Sequence, residues 1–201
     1  MTDRPQLWML VGGNGSGKTT FYYKFLQPHG IHFINADQIA KELAPENPEA
    51  VSYEAARMAE QIRLDFLREG ISFCFETVFS HPSKLEFVQQ ARALGYEIIM
   101  VFIHLDDVQL NIARITQRVT EGGHHVPADK VASRLERLVD NVRAATPHVD
   151  RLVIFDNSHR VGSFNCQLQY LGGTLSFQAE LLKPWAAEFV GARPLIHLSI
   201  T

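Results

Sequence analysis

Residues 12–20 read Gly-Gly-Asn-Gly-Ser-Gly-Lys-Thr-Thr, set between an apolar run at 7–11 and an amphipathic run at 21–26. Such a stretch confines the chain to folds that place a strand, a tight glycine turn and a helix in immediate succession. Gly12, Gly17, Lys18 and Thr19 satisfy the phosphate-loop pattern G-x-x-x-x-G-K-[ST], which chance would supply in roughly one chain in a hundred of this length. The glycines let successive backbone N–H groups turn inward, and the helix that follows adds the positive end of its dipole. Gly13, Asn14, Gly15, Ser16, Gly17, Lys18, Thr19 and Thr20 are therefore the candidate nucleotide-holding residues. Lys18 is expected to reach the outer phosphates and Thr19 to ligate Mg²⁺. A plain glycine turn accounts for the glycines but leaves the Lys-Thr pair unexplained.

Further strand-like runs lie at 32–34, 72–77, 97–105 and 151–155, separated by helical patterns. Helices are expected over 18–27, stopped by Pro28 and Gly30, and over 37–43. A longer one starts from a cap at Asn47 with Pro48 in the first helical position, carries Met58, Ile62 and Phe66 on one stripe, and stops at Gly70. Others are expected over 82–94, with Leu85, Val88, Ala91 and Leu94 inward, over 108–119, and over 128–142, with Val131, Leu135, Leu138 and Val142 inward. Past Asn157 the pattern alternates around Gly172-Gly173, which signals a hairpin, and a last helix is expected over 181–190.

Strands alternating with helices at this spacing call for a parallel sheet covered on both faces. The expected architecture is a single α/β domain over 1–201: a three-layer sandwich with a five-stranded, mainly parallel sheet, a helical lid at about 114–134, and a C-terminal hairpin and helix at about 164–190. Residues 191–201 carry no assignment. The 46% hydrophobic content suits one full core without staples. A formal charge of −3 with no basic run argues against a grip on long nucleic acid or an acidic membrane. Neither the number nor the spacing of Cys74 and Cys166 suggests a zinc site or a disulfide framework, and the apolar run at 98–103 is too short to span a membrane. A cytoplasmic setting and a small-molecule substrate are expected.

In open α/β sheets ligands gather outside the carboxyl ends of the strands, so the polar residues there carry the chemistry. Asp37 is the candidate general base for a substrate hydroxyl, with helix capping as the alternative, since Asn35 and Gln38 resemble a capping box. Glu76 ends a strand expected to be buried on both faces, so its carboxylate calls for a metal-bound water, a substrate or a cation. It would support Mg²⁺ through water or contact a substrate hydroxyl. Thr77 joins it on the substrate side, an ordinary strand-end threonine being the alternative. In the lid, Arg118 and Arg134 flank the glycine turn and are candidates to clamp transferring phosphate, whereas Arg114, Arg137 and Arg143 read as solvated. His124, beside His125, reads as a surface or substrate contact, because no partner ligands stand at metal spacing.

Taken in order, residues 12–20, Phe33-Ile34-Asn35-Ala36-Asp37, Phe75-Glu76-Thr77, Arg118-Val119, Gly122-Gly123-His124-His125-Val126-Pro127, Arg134 and Phe155-Asp156-Asn157-Ser158 resemble the zeta-toxin-like family of P-loop kinases. The resemblance covers roughly residues 7–190. It is closest to the short stand-alone branch, because no added segment of the kind that embraces a nucleotide-sugar is present. It implies ATP and Mg²⁺ as cofactors and, in the toxins, phosphorylation of a hydroxyl of UDP-N-acetylglucosamine. It matches Asp37 to the base, Lys18 to the phosphate-loop lysine, Glu76 and Thr77 to the substrate-side motif, and Arg118 with Arg134 to the phosphate clamp. Asn157 would lie near the nucleotide base. The leading expectation is thus transfer of the γ-phosphate to a small-molecule hydroxyl acceptor. The rivals are a nucleotide-dependent binding module with an antitoxin-like protein partner, and a polynucleotide-end kinase, against which the missing basic stripe counts.

Overall fold

The computed structural model describes residues 4–81, 83–106, 110, 114, 128–159 and 163–190, with 128–136 described by backbone alone. β1 (Gln6–Val11) stands inside the sheet, paired in parallel with β3 (Phe73–Thr77) on one side and β4 (Glu97–His104) on the other. Beyond β3 lies β2 (His32–Ile34), and beyond β4 lies β5 (Arg151–Asp156), all parallel. The hairpin β6 (Asn165–Leu171) and β7 (Thr174–Gln178) turns through Gly172-Gly173. It does not stand apart from the sheet: β6 pairs antiparallel with β5. The sheet therefore has seven strands, in the order β2-β3-β1-β4-β5-β6-β7, rather than the five expected. The free edge of β5 accounts for the difference, because its backbone groups need partners that the hairpin supplies.

Alternate residues of β1 divide between two cores, as a strand's period of two requires. Leu7, Met9 and Val11 join the larger core, which is roofed by α3 (Ser52–Glu69), α4 (Ser83–Ala93), α5 (Ala128–Ala145) and the short α6 (Pro184–Ala187). Trp8 and Leu10 join the smaller one under α1 (Lys18–Phe21) and its continuation, a π-helical turn over Tyr22–Leu26. α2 (Ala36–Leu43) packs on α3.

Three helices differ in detail from the expectation. Pro48 opens a 3₁₀ turn, Pro48–Val51, before α3 begins, and Asn47 makes no side-chain cap. In α3 the inward stripe is Ala55, Ala59, Ile62 and Phe66, while Met58 is exposed. The last helix is one turn long, and Leu94, placed inward by its spacing, is exposed because α4 has already ended. None of the described helices is long and apolar enough to cross a membrane.

Candidate active site

At the end of β1 the chain turns into α1 against two neighbours that leave no room for a side chain. A Cβ on Gly12 would collide with the Ile103 carbonyl oxygen and stand 2.6 Å from Ser16 Oγ. On Gly17, held at φ +103°, it would stand 2.5 Å from Asn157 Nδ2. The loop is pinned to the sheet by the Gly12 N–H, which donates to the Thr77 carbonyl at 3.3 Å. Lys18 Nζ donates to the carbonyls of Gly12 and Gly13 at 3.0 and 2.9 Å, which sets the ammonium across the loop mouth. Ser16 is buried, and its Oγ has no hydrogen-bond partner among the described residues. Donor-rich backbone, a cation and a buried hydroxyl on one turn fit the phosphates of a nucleotide.

Thr19, the expected Mg²⁺ ligand, donates its hydroxyl to Glu76 Oε2 at 2.9 Å. The other oxygen of Glu76 accepts from the Asn35 amide at 3.1 Å. Asn35 Oδ1 in turn accepts from the backbone N–H of Asp37 at 2.8 Å and of Gln38 at 3.3 Å, capping α2. One buried amide thus joins, through Glu76, the loop threonine Thr19, the third strand and the first turn of α2. Asn35, not Asp37, is the cap. The reciprocal half of a capping box is missing, because the Gln38 side chain turns to the Tyr23 hydroxyl. Asp37 is exposed on that first turn, and among the described residues no hydrogen bond or ion pair engages its carboxylate. Glu76 is half-buried rather than enclosed, and two neutral donors answer its need for partners.

Thr77 faces its own loop: its Oγ1 accepts from the Phe79 N–H at 3.0 Å. Phe79 is buried at φ +58°, a conformation a bulky residue holds only when its surroundings enforce it. The Asn141 amide of α5 completes the enforcement by donating to the Phe79 carbonyl at 2.8 Å.

On the other side of the loop, Asn157 is fully buried and donates from Nδ2 to the Ser16 carbonyl at 2.8 Å, so it supports the loop from behind. The Asn157 carbonyl accepts from Arg114 Nη2 at 2.9 Å. Arg114 is therefore half-buried against the site rather than solvated, and burial lowers its pKa against the opposing pull of the Asp156 carboxylate. Asp156 is fully buried; Ser158 donates to its Oδ1 at 2.5 Å, while Oδ2 has no partner among the described residues. Beside it His104 meets the Trp185 ring at 4.3 Å between centroids, tilted by 46°, and burial pushes its pKa down to about 4, with Asp106 and Asp156 opposing.

Lys18, Thr19, Asn35, Asp37 and Glu76 thus converge at the carboxyl ends of the strands. Arg118, His124 and His125 lie outside the described residues, and Arg134 is described only as part of the α5 backbone. Arg137 and Arg143 are exposed. Sequence reasoning missed the linking role of Asn35 and the burial of Arg114; the polar run ending β5 was the available signal for the second.

The profile of the family described as an AAA domain matches residues 7–144. A Haemophilus influenzae protein described only as uncharacterized is 31% identical over 138 residues, which span 65% of this chain and 98% of its own. Dephospho-CoA kinase of Aliivibrio fischeri is 32% identical over 79 residues, 39% of this chain and 43% of the enzyme. Among solved structures, one from the PezAT chromosomal toxin-antitoxin system of Streptococcus pneumoniae superposes with a TM-score of 0.66 at 19% identity, covering 94% of this chain and 84% of that one. The AvrRxo1-ORF1:-ORF2 complex with ATP gives 0.70 at 18% identity, covering 98% and 66%. These two share the fold.

Proposed function

Because the chain belongs to the AAA-domain family across residues 7–144, we propose that it is an ATP- and Mg²⁺-dependent phosphotransferase that moves the γ-phosphate to a hydroxyl of a small molecule. The observation that carries this reading is the unbroken line Thr19–Glu76–Asn35–Asp37, which ties the expected metal ligand to the backbone N–H of the candidate base and so fixes the turn that presents its carboxylate. A switch protein needs the loop but not a carboxylate presented from a turn tied to it.

In this mechanism Lys18 and the loop N–H groups bind the β- and γ-phosphates, and Thr19, supported by Glu76, would hold Mg²⁺. Mg²⁺ supplies charge neutralisation on the transferring group. Asp37 accepts the proton of the acceptor hydroxyl as its oxygen bonds to phosphorus, while the bond to the bridging oxygen breaks and its electron pair leaves on ADP. Arg118 and Arg134 are proposed as the clamp, Thr77 and His124 as acceptor-side residues, and a UDP-N-acetyl sugar as the acceptor.

Asp37→Ala should still bind ATP and lose transfer by on the order of a hundredfold or more. The test is Mg²⁺-dependent ADP release against UDP-sugars, free sugars, nucleosides and short oligonucleotides. Stimulation by one acceptor, lost in Asp37→Ala, is expected; an undiminished rate in that variant removes Asp37 from the mechanism. The fold shared with the toxin-antitoxin protein supports a second reading, a protein inhibitor that responds to the nucleotide state. It would be favoured by tight ATP binding with no acceptor turned over.

A further inference from the structure

Under α1, on the sheet face opposite α3, α4 and α5, lies a cavity of about 710 Å³. Trp8, Phe21, Phe25, Phe155 and Phe164 line it, with Ile31 at one side. Exposed Phe25, His29 and Ser163 open it to solvent on one side, and its volume is that of a small-molecule pocket. Its rings already meet tilted or edge to face, Phe21 with Phe164 at 5.3 Å and Phe25 with Phe164 at 5.7 Å between centroids. Two backbone irregularities fall in the same wall. Phe164 is held at φ +45°, and Phe25 belongs to the π-helical turn. Both kinds of irregularity concentrate where proteins hold ligands.

The cavity's chemistry narrows the occupant. Among the described residues no Asp, Glu, Lys or Arg side chain lines it. The polar atoms at its floor are already engaged: the Trp8 indole N–H donates to Gln6 Oε1 at 3.1 Å, and the Gln6 amide donates to Glu97 at 2.8 Å. What the walls offer is mainly ring faces and ring edges, with the His29 ring and Ser163 at the exposed side and the Lys24 ammonium over the Phe25 and Phe164 rings at 5.2 and 6.0 Å, which favours a flat neutral ligand packed on the rings. Gln6 and Trp8 stand in the amino-terminal part of β1, whose far end carries Gly12, so the floor is separated from the phosphate loop by the length of the strand.

We propose that this cavity is a second binding site, distinct from the phosphate loop, for an uncharged flat aromatic group of about two fused rings. The two sites share a wall. The Phe21 N–H donates to the Gly17 carbonyl at 2.9 Å, and the Phe164 ring stands 3.6 Å from where a Gly17 Cβ would be. They are nevertheless filled independently.

The test is calorimetric titration of the full chain with 2-naphthol, with and without saturating Mg²⁺–ADP. One molecule per chain should bind in both conditions, and the saturated, non-planar decahydro-2-naphthol should bind about fivefold more weakly or worse, for loss of ring–ring contacts. Phe25→Ala opens a wall at a position already 39% exposed, and Ser163→Trp fills the cavity from an exposed position. Each should weaken binding by about tenfold or more. Absence of heat, equal binding of the saturated analogue, full affinity in both variants, or displacement by ADP would each overturn the proposal, the last by making the cavity part of the nucleotide site.

Discussion

At the scale of single residues, the site depends on positions where only one side chain, or none, fits. Gly17 has two separate requirements, a left-handed φ of +103° and contact with Asn157 Nδ2. Gly17→Ala should therefore push Asn157 off the Ser16 carbonyl and lower ADP affinity about tenfold or more, read by calorimetry, with strain of about 1–3 kcal/mol in the folded state. Unchanged affinity would mean that the loop tolerates displacement of its rear support. The glycines were legible in the sequence because a short fixed spacing carries their meaning. Asn35 was legible as part of a cap, but its bond to Glu76 crosses from β2 to β3, and no local pattern records which carboxylate an amide will find. Arg114 failed for a related reason: a helical arginine looks solvated until the neighbouring strand end is known to carry a buried aspartate.

Elements were read more reliably than their ends. Strand and helix alternation follows from hydrophobic period, so β1 to β5 and the described helices between them stood out, while the helix expected over 108–119 and most of the lid over about 114–134 lie outside the described residues; where one element stops depends on contacts from elsewhere. α3 is an example. Its carboxyl end is finished by Tyr96, a fully buried residue from the turn before β4, whose hydroxyl lies 2.6 Å from the Phe66 carbonyl and 2.9 Å from that of Ile71. Tyr96→Phe should remove the hydroxyl's bond while the Phe66 carbonyl keeps the Ile71 N–H at 3.1 Å, and cost about 1 kcal/mol in urea unfolding, with ADP affinity unchanged because the phosphate loop lies at the opposite end of the sheet. A loss of ADP affinity equal to the loss of stability would count against that separation. The π-helical turn after α1 had no signature in the sequence either, since Tyr22–Leu26 reads as ordinary amphipathic helix.

For the molecule as a whole, the unforeseen feature was the union of the hairpin with the main sheet, which brings α6 and Trp185 over the ends of β4 and β5. That cover gives stability a pH dependence. His104, buried against Trp185 and facing Asp106 and Asp156, has a pKa of about 4 when folded, below its ordinary value of 6.5. Well above pH 6.5 both states are neutral and the burial carries no charge penalty. As the pH falls from there towards 4, the unfolded chain takes up a proton that the folded one refuses, so stability is lost, by about 2 kcal/mol between pH 7 and 5. Urea midpoints should show this slope in the wild type and a flatter one in His104→Phe, which keeps the ring against Trp185; equal slopes would assign the loss to other groups.

The order of strands also bears on how the chain is made. β1 leaves the ribosome first, yet both its neighbours, β3 and β4, are encoded tens of residues later. Until Glu97–His104 has emerged, the strand that carries the phosphate loop lacks a partner on at least one side, and its apolar residues are open to misassociation. From then on the situation reverses. β5, β6 and β7 each arrive to find the strand they pair with already in place, so the second half of the sheet is laid down outward in the order of translation.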